Sequence, residues 1–137
     1  MSPRIEFRHE FQYRELAPDS FFPAIDVTLI GPNGEEEDLL AIIDTGAKYC
    51  LFSGLRAAPI GIDLQAGRRE NLSGLAGQLT AWIHPVQLEI LGTRFQCEVA
   101  FSEQHIPREL LGRHSLFDQI RVGFREGISA GYFHPTR

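Results

Sequence analysis

Hydrophobic and polar residues alternate along most of this chain, and the alternation predicts strands. The first alternating set has five non-polar or weakly polar members: Ile5, Phe7, His9, Phe11 and Tyr13. A period of two over ten residues is typical of a strand with one buried face. A second strand is predicted over residues 24–30. The turn that follows, residues 31–34, contains Asn33-Gly34, a pair suited to positive φ.

The segment at residues 39–43 is apolar at every position, which predicts a strand buried on both faces. Further strands are predicted at about residues 50–52, 67–72, 78–91, 95–101 and 120–124. A short helical or irregular turn is predicted near residues 56–60, and a helix of about two turns only over residues 113–119. The pattern therefore predicts an all-β fold, a small closed barrel or sandwich with one short C-terminal helix.

Composition narrows the class of protein. A length of 137 residues predicts one domain, residues 1–137, and 43% hydrophobic residues exclude a wholly disordered chain. The net charge of −5 argues against a nucleic-acid partner. No apolar run has the length of a membrane span, and no signal-peptide pattern is present at the start. Cys50 and Cys97 are predicted to be free thiols in a reducing cytoplasm, with a Cys50–Cys97 disulfide as the alternative.

Asp44 is the candidate for chemistry. It directly follows the apolar run 39–43, where an unpaired carboxylate is poorly solvated. Thr45 can hydrogen-bond locally, and Gly46 lets the backbone turn and lets another chain approach. A carboxylate held in a tight loop at the end of a core strand suits acid–base catalysis. The alternative is an Asx-type turn in which Asp44 only closes the loop, and three residues do not separate the two.

Four segments, in this order, resemble parts of the retropepsin family, the retroviral-type aspartic proteases, in particular a bacterial or cellular single-domain member. Leu40-Ala41-Ile42-Ile43-Asp44-Thr45-Gly46-Ala47 resembles the active-site segment of that family. Residues 74–81 are similar to its glycine-rich flap, and residues 86–92 to the strand and turn after the flap. Leu110-Leu111-Gly112-Arg113 resembles the segment that leads into the family's helix. The resemblance covers about residues 24–125, and leaves out the N-terminal strand 4–15 and the tail 127–137.

The resemblance implies an aspartic endopeptidase. Its chemistry needs two carboxylates that share one proton. Asp-Thr-Gly occurs once, so a two-fold homodimer is expected to pair Asp44 with its symmetry mate and to act on a peptide or protein substrate. The resemblance implies further roles: loop support by Thr45 and Gly46, substrate contacts by Ala47, Leu75, Ala76 and Gly77, and a structural role near the site for Arg113. It implies no cofactor, and the spacing of the five histidines fits no zinc motif.

Two positions depart from the family pattern. Lys48 stands where retroviral members usually place an acidic residue that pairs with the helix arginine, and His114 stands where Asp or Asn is usual. Arg113 is therefore expected to pair with Asp118 or with a carboxylate of the partner chain. Lys48 is interpreted either as a surface lysine or as a contact to an acidic substrate side chain.

The alternative function is a catalytically inactive retropepsin-like module for dimerisation or peptide binding. The tail 127–137 is expected to plug the cleft, to add an interface strand or to lack order.

Overall fold

Strands dominate the structure, a computed structural model that describes residues 6–74 and 77–136. Twelve strands lie in these ranges: β1 (His9–Gln12), β2 (Arg14–Ala17), β3 (Ser20–Phe22), β4 (Ala24–Ile30), β5 (Glu36–Ile43), β6 (Leu51–Ser53), β7 (Arg68–Gly74), β8 (Gly77–Ile90), β9 (Thr93–Ser102), β10 (Leu110–Leu111), β11 (Ile120–Arg125) and β12 (Ala130–Pro135). Single-turn 3₁₀ helices cover Gly54–Arg56, Ala58–Ile60, Leu64–Ala66 and Glu126–Ile128. The predicted all-β class is confirmed.

The main sheet has seven strands in the order β4-β5-β10-β6-β9-β8-β7. Because β8 is 14 residues long, it pairs with β7 and β9 and also, through Gln87–Glu89, with Thr28–Ile30 of β4. The sheet therefore folds back on its first strand, while a fully closed barrel stays a prediction. The main core fills the interior with fully buried side chains that include Leu29, Phe52, Leu88, Val99 and Phe101.

The alternation of buried and more exposed side chains along β4 and β5 follows from this packing. Ile25, Val27 and Leu29 of β4 are buried, as predicted. In the apolar run 39–43, Leu39, Ala41 and Ile43 are buried, whereas Leu40 and Ile42 are half-buried. The prediction of burial on both faces is therefore wrong: one face of β5 is buried and the other is half-buried.

The segment 113–119 is not the predicted helix but a series of turns. The Phe117 N–H donates to the Arg113 carbonyl at 3.1 Å, as in a helix, but Ser115 has φ 59°. The hydroxyl oxygen of Ser115 accepts the Glu98 N–H of β9 at 2.9 Å. Because a serine side chain that bonds elsewhere competes with helical hydrogen bonding, this contact draws the segment onto β9 instead.

The two ends of the chain meet in a second sheet of order β1-β12-β11. The predicted N-terminal strand 4–15 is divided at Tyr13, whose N–H donates to the Ser129 carbonyl at 2.8 Å. The tail was expected to plug the cleft, to add an interface strand or to lack order; the structure instead shows an ordered strand, β12, that pairs with β1 and β11 of its own chain. Phe133 of β12 is fully buried, edge-on to Phe95 at 6.1 Å between ring centroids.

Cys50 and Cys97 are free and buried, as predicted. Burial is the first cause that raises the pKa of each thiol to about 12, so both stay protonated at neutral pH. In the part of the chain that the structure describes, no helix has the length and apolar character needed to cross a membrane.

Phe133→Ala tests whether the tail belongs to the core. We expect a loss of about 3–5 kcal/mol in the free energy of unfolding, because the substitution leaves a cavity beside Phe95. Urea denaturation at one fixed protein concentration measures it. The control Ile128→Ala, at a side chain 54% exposed, is expected to change stability by less than about 0.5 kcal/mol. Equal, small effects of the two substitutions would contradict the packing of β12.

Candidate active site

Asp44 lies immediately after β5, at a point where backbone hydrogen bonds hold the chain from two sides. Its N–H donates to the Leu111 carbonyl of β10 at 2.9 Å, and the Ile43 N–H donates to the Pro23 carbonyl at 2.9 Å. Pairing between β5 and β10 is parallel, with Ile43 opposite Leu111. The strand that carries the carboxylate is therefore fixed up to its last residue.

The loop after β5 is closed by Asp44 itself. Its Oδ1 accepts the Gly46 N–H at 2.9 Å, and its carbonyl accepts the Ala47 N–H at 3.1 Å. Asp44 and Ala47 are half-buried, whereas Thr45 and Gly46 are exposed. Among the described residues Oδ2 makes no hydrogen bond. The Asx-type turn is thus present, and it leaves one carboxylate oxygen free for chemistry.

A second loop crosses the first at very short range. The Arg113 N–H donates to the Ala47 carbonyl at 3.0 Å, and the His114 N–H donates to the Lys48 carbonyl at 2.6 Å. A Cβ on Gly112 would lie 2.2 Å from the Tyr49 carbonyl oxygen, a distance that no side chain can take. Only glycine fits between the two loops, so Gly112 fixes how the segment after β10 supports the Asp44 loop.

An ion-pair network anchors β10 next to β5. The Glu109 carboxylate accepts hydrogen bonds from Arg56 Nε and Nη2 at 2.9 and 2.6 Å and from the Ser53 N–H at 3.1 Å. The Glu109 carbonyl accepts the Ile42 N–H at 2.9 Å. Arg56 also pairs with Glu37 at 3.1 Å. The pKa of Arg56 is raised, first by its hydrogen bond to Glu109, as expected for a cation bound by two carboxylates.

Sequence reasoning missed the network because Arg56 and Glu109 are 53 positions apart and no motif joins them. Within the described part of the chain, Arg113 forms no ion pair, so the expected Arg113–Asp118 pair is absent there. Arg113 is exposed and contributes its backbone N–H instead.

The two departures, Lys48 and His114, both lie beside Tyr49. His114 Nε2 is 3.0 Å from Glu98 Oε1, and its ring is edge-on to Tyr49 with centroids 5.0 Å apart. Lys48 is exposed, and its Nζ lies 5.3 Å from the centroid of the Tyr49 ring. His114 thus has an acidic partner on β9, while Lys48 rests on an aromatic ring.

The β7–β8 hairpin contains the residues predicted to form a flap. Gly74 pairs with Gly77, which is exposed and has φ +109°, whereas Leu75 and Ala76 lie outside the described residues. A second apolar cluster joins the hairpin to β6 and β10; its members include Tyr49, Leu51, Leu72, Leu79 and Leu110. This cluster places the hairpin on the side of β10 that faces away from the main core. Nowhere in the described ranges do three His, Cys, Asp or Glu side chains group as metal ligands.

Comparison with known proteins supports this fold. The EIAV protease, solved in complex with the inhibitor HBY-793, is similar with a TM-score of 0.54 at 21% sequence identity. The similarity covers 71% of this chain and 86% of the viral protease. No protein-family model matches the chain, and no curated protein sequence matches it. The chain therefore has a retropepsin-like fold.

Gly112→Ala tests the crossing of the two loops. The added Cβ would meet the Tyr49 backbone, so we expect a loss of about 1–3 kcal/mol in stability. Gly127→Ala is the matched control, since a Cβ there meets nothing within 4 Å, and it should be neutral or stabilising by up to about 1 kcal/mol. Thermal and urea unfolding of both variants provide the measurement, and equal stability of the two would refute the crossing.

Proposed function

We propose that this protein is an aspartic endopeptidase that acts as a homodimer. The observation that carries the proposal is Asp44, half-buried at the end of β5 with Oδ1 fixed by Gly46, on a retropepsin-like fold. Because Asp-Thr-Gly occurs once in 137 residues, one chain supplies half of a dyad. A two-fold axis beside the loop would supply the second carboxylate.

In the proposed reaction, the two Asp44 carboxylates share one proton, since like charges so close cannot both be ionised. The ionised carboxylate takes a proton from a water molecule, which attacks the carbonyl carbon of the peptide bond. The protonated carboxyl donates to the developing oxyanion. Collapse of the tetrahedral intermediate breaks the C–N bond, and a proton passes to the leaving amine. The products are a carboxylic acid and an amine.

The supporting roles follow the family resemblance. Thr45 would link the two loops across the dimer, and Gly46 would support the carboxylates. Substrate would contact four residues: Ala47, Leu75, Ala76 and Gly77. The β7–β8 hairpin would close over the peptide and exclude water. Residues 1–137 would form one domain. A location in the cytoplasm also stays a prediction.

The second candidate function is a retropepsin-like module that binds or dimerises without turnover. Lys48 and His114 favour it, because they replace residues typical of active retroviral members. A dimer with the two Asp44 carboxylates close and coplanar favours catalysis, and one with the carboxylates separated or blocked favours the module.

Asp44→Asn tests the catalytic role. The amide keeps the shape of the side chain and the acceptor for Gly46, so fold and dimer should persist while peptide cleavage falls by at least about a hundredfold. Cleavage of a peptide library between about pH 4 and 7 is the assay, with size-exclusion chromatography as the check on the dimer. The control Asp63→Asn changes an exposed carboxylate and should keep wild-type activity. A folded wild-type dimer that cleaves no peptide would rule out the proposed activity.

Mixed dimers test whether one site needs two chains. Wild-type protein incubated with an excess of Asp44→Asn should lose activity as heterodimers form, because each heterodimer has only one Asp44 carboxyl group at its active site. Asp63→Asn in the same excess should not lower the activity. Specific activity that is indifferent to added Asp44→Asn, once exchange of chains is verified, would show that one chain suffices.

A further inference from the structure

Basic side chains flank the Asp44 loop, although the chain as a whole has a net charge of −5. Lys48 follows Asp44 by four residues and is exposed. Arg113 is exposed and bound through its N–H to the carbonyl of Ala47, in the same loop. Arg68 at the start of β7 lies on this side too, since its Nη1 is 4.0 Å from Glu98, the carboxylate that lies 3.0 Å from His114. We call these three residues, Lys48, Arg68 and Arg113, the basic flank.

The two carboxylates within 4.0 Å of the basic flank, those of Glu70 and Glu98, both lie beside Arg68. Glu98 lies 3.0 Å from His114 and 4.0 Å from Arg68, and Glu70 lies 3.5 Å from Arg68. Neither Lys48 nor Arg113 lies within 4.0 Å of a carboxylate in residues 6–74 and 77–136. Two cations next to the Asp44 loop are thus left without an acidic partner from their own described chain.

Lys48 is also held in place. Its carbonyl accepts the His114 N–H, which fixes its backbone against the turn after β10. Its Nζ lies over the ring of Tyr49, a residue only 6% exposed that packs edge-on against His114. A cation over an aromatic face gains attraction without giving up its charge. In this arrangement the ammonium lies beside the Asp44 loop.

We propose that the basic flank, with Lys48 as its main member, selects peptides that carry acidic side chains close to the scissile bond. This inference rests on the proposed peptidase function of Asp44 and adds a class of substrate to it. Because a two-fold dimer presents Lys48 twice, the preference for an acid falls on both sides of the scissile bond, at equal distances from it. Since the cations are exposed, the preference weakens as salt screens them.

A substrate scan in matched peptides tests the preference. Starting from a cleaved sequence, Glu, Gln or Lys is placed at each position around the scissile bond, and kcat/KM is measured. At the favoured positions we expect Glu over Gln by about three- to fivefold at low ionic strength, the size of an exposed ion pair, with Lys least favoured. In Lys48→Gln the ratio should fall most of the way to one. Arg94→Gln, which removes the same charge at the start of β9 where Arg94 pairs with Glu89, should keep the wild-type ratio.

A binding measurement separates this inference from the proposed function. In the Asp44→Asn background, the affinities for the Glu and Gln peptides are compared with and without Lys48→Gln. If wild type cleaves peptides with no preference for Glu, or with a preference that Lys48→Gln leaves undiminished, the proposed selection by Lys48 is wrong while the peptidase function stands. If no peptide is cleaved but Glu peptides bind more tightly in a Lys48-dependent way, the peptidase function fails and the selection of acidic peptides stands. Absence of both cleavage and preferential binding overturns the two together.

Discussion

The contact on which the candidate site depends is the crossing of two backbone loops at Gly112. Arg113 and His114 donate their N–H groups to Ala47 and Lys48, and this approach is possible only because residue 112 has no Cβ. The crossing joins the loop after β5 to the segment after β10, which are more than sixty residues apart in sequence. Asp44 is thereby held from both directions, and a side chain can be placed accurately only where its backbone has so little freedom.

The ion pairs of this region follow from the same crossing. Since the backbone of Arg113 already holds the Asp44 loop, its guanidinium is not needed for that purpose. The ion pair that holds β10 in place is instead formed by Arg56, after β6, and Glu109, directly before β10. The Glu109 side chain is only 12% exposed. A partly buried, bidentate pair with further donors is worth more than an exposed one. The backbones of Lys48 and Arg113 thus support the loop, while their charged side chains form no ion pair within residues 6–74 and 77–136.

Local patterns in the sequence predicted the strands well, and failed where distant contacts decide. The period of two identified β4 from Ala24 to Ile30, because burial on one face is a local property of a strand. The helix over 113–119 was wrong, since Ser115 bonds to Glu98 on β9 and adopts a positive φ that no local pattern reveals. The Asp-Thr-Gly loop could be located from its sequence. The Arg56–Glu109 pair could not be predicted from the sequence, because no pattern near either residue indicates that the two lie close together.

The Asx turn and the proposed catalytic role of Asp44 are compatible, because they use different oxygens. The Gly46 N–H engages Oδ1 and sets the plane of the carboxylate, while Oδ2 has no partner in the described part of the chain. In a single chain the carboxylate is half-buried and water can solvate it, so its charge lowers the stability of the fold only slightly. In the proposed dimer a second carboxylate would cover it and exclude that water, and a shared proton would then offset the repulsion between the two. A loop that is an ordinary turn in one chain would thus become a proton-sharing pair through association alone.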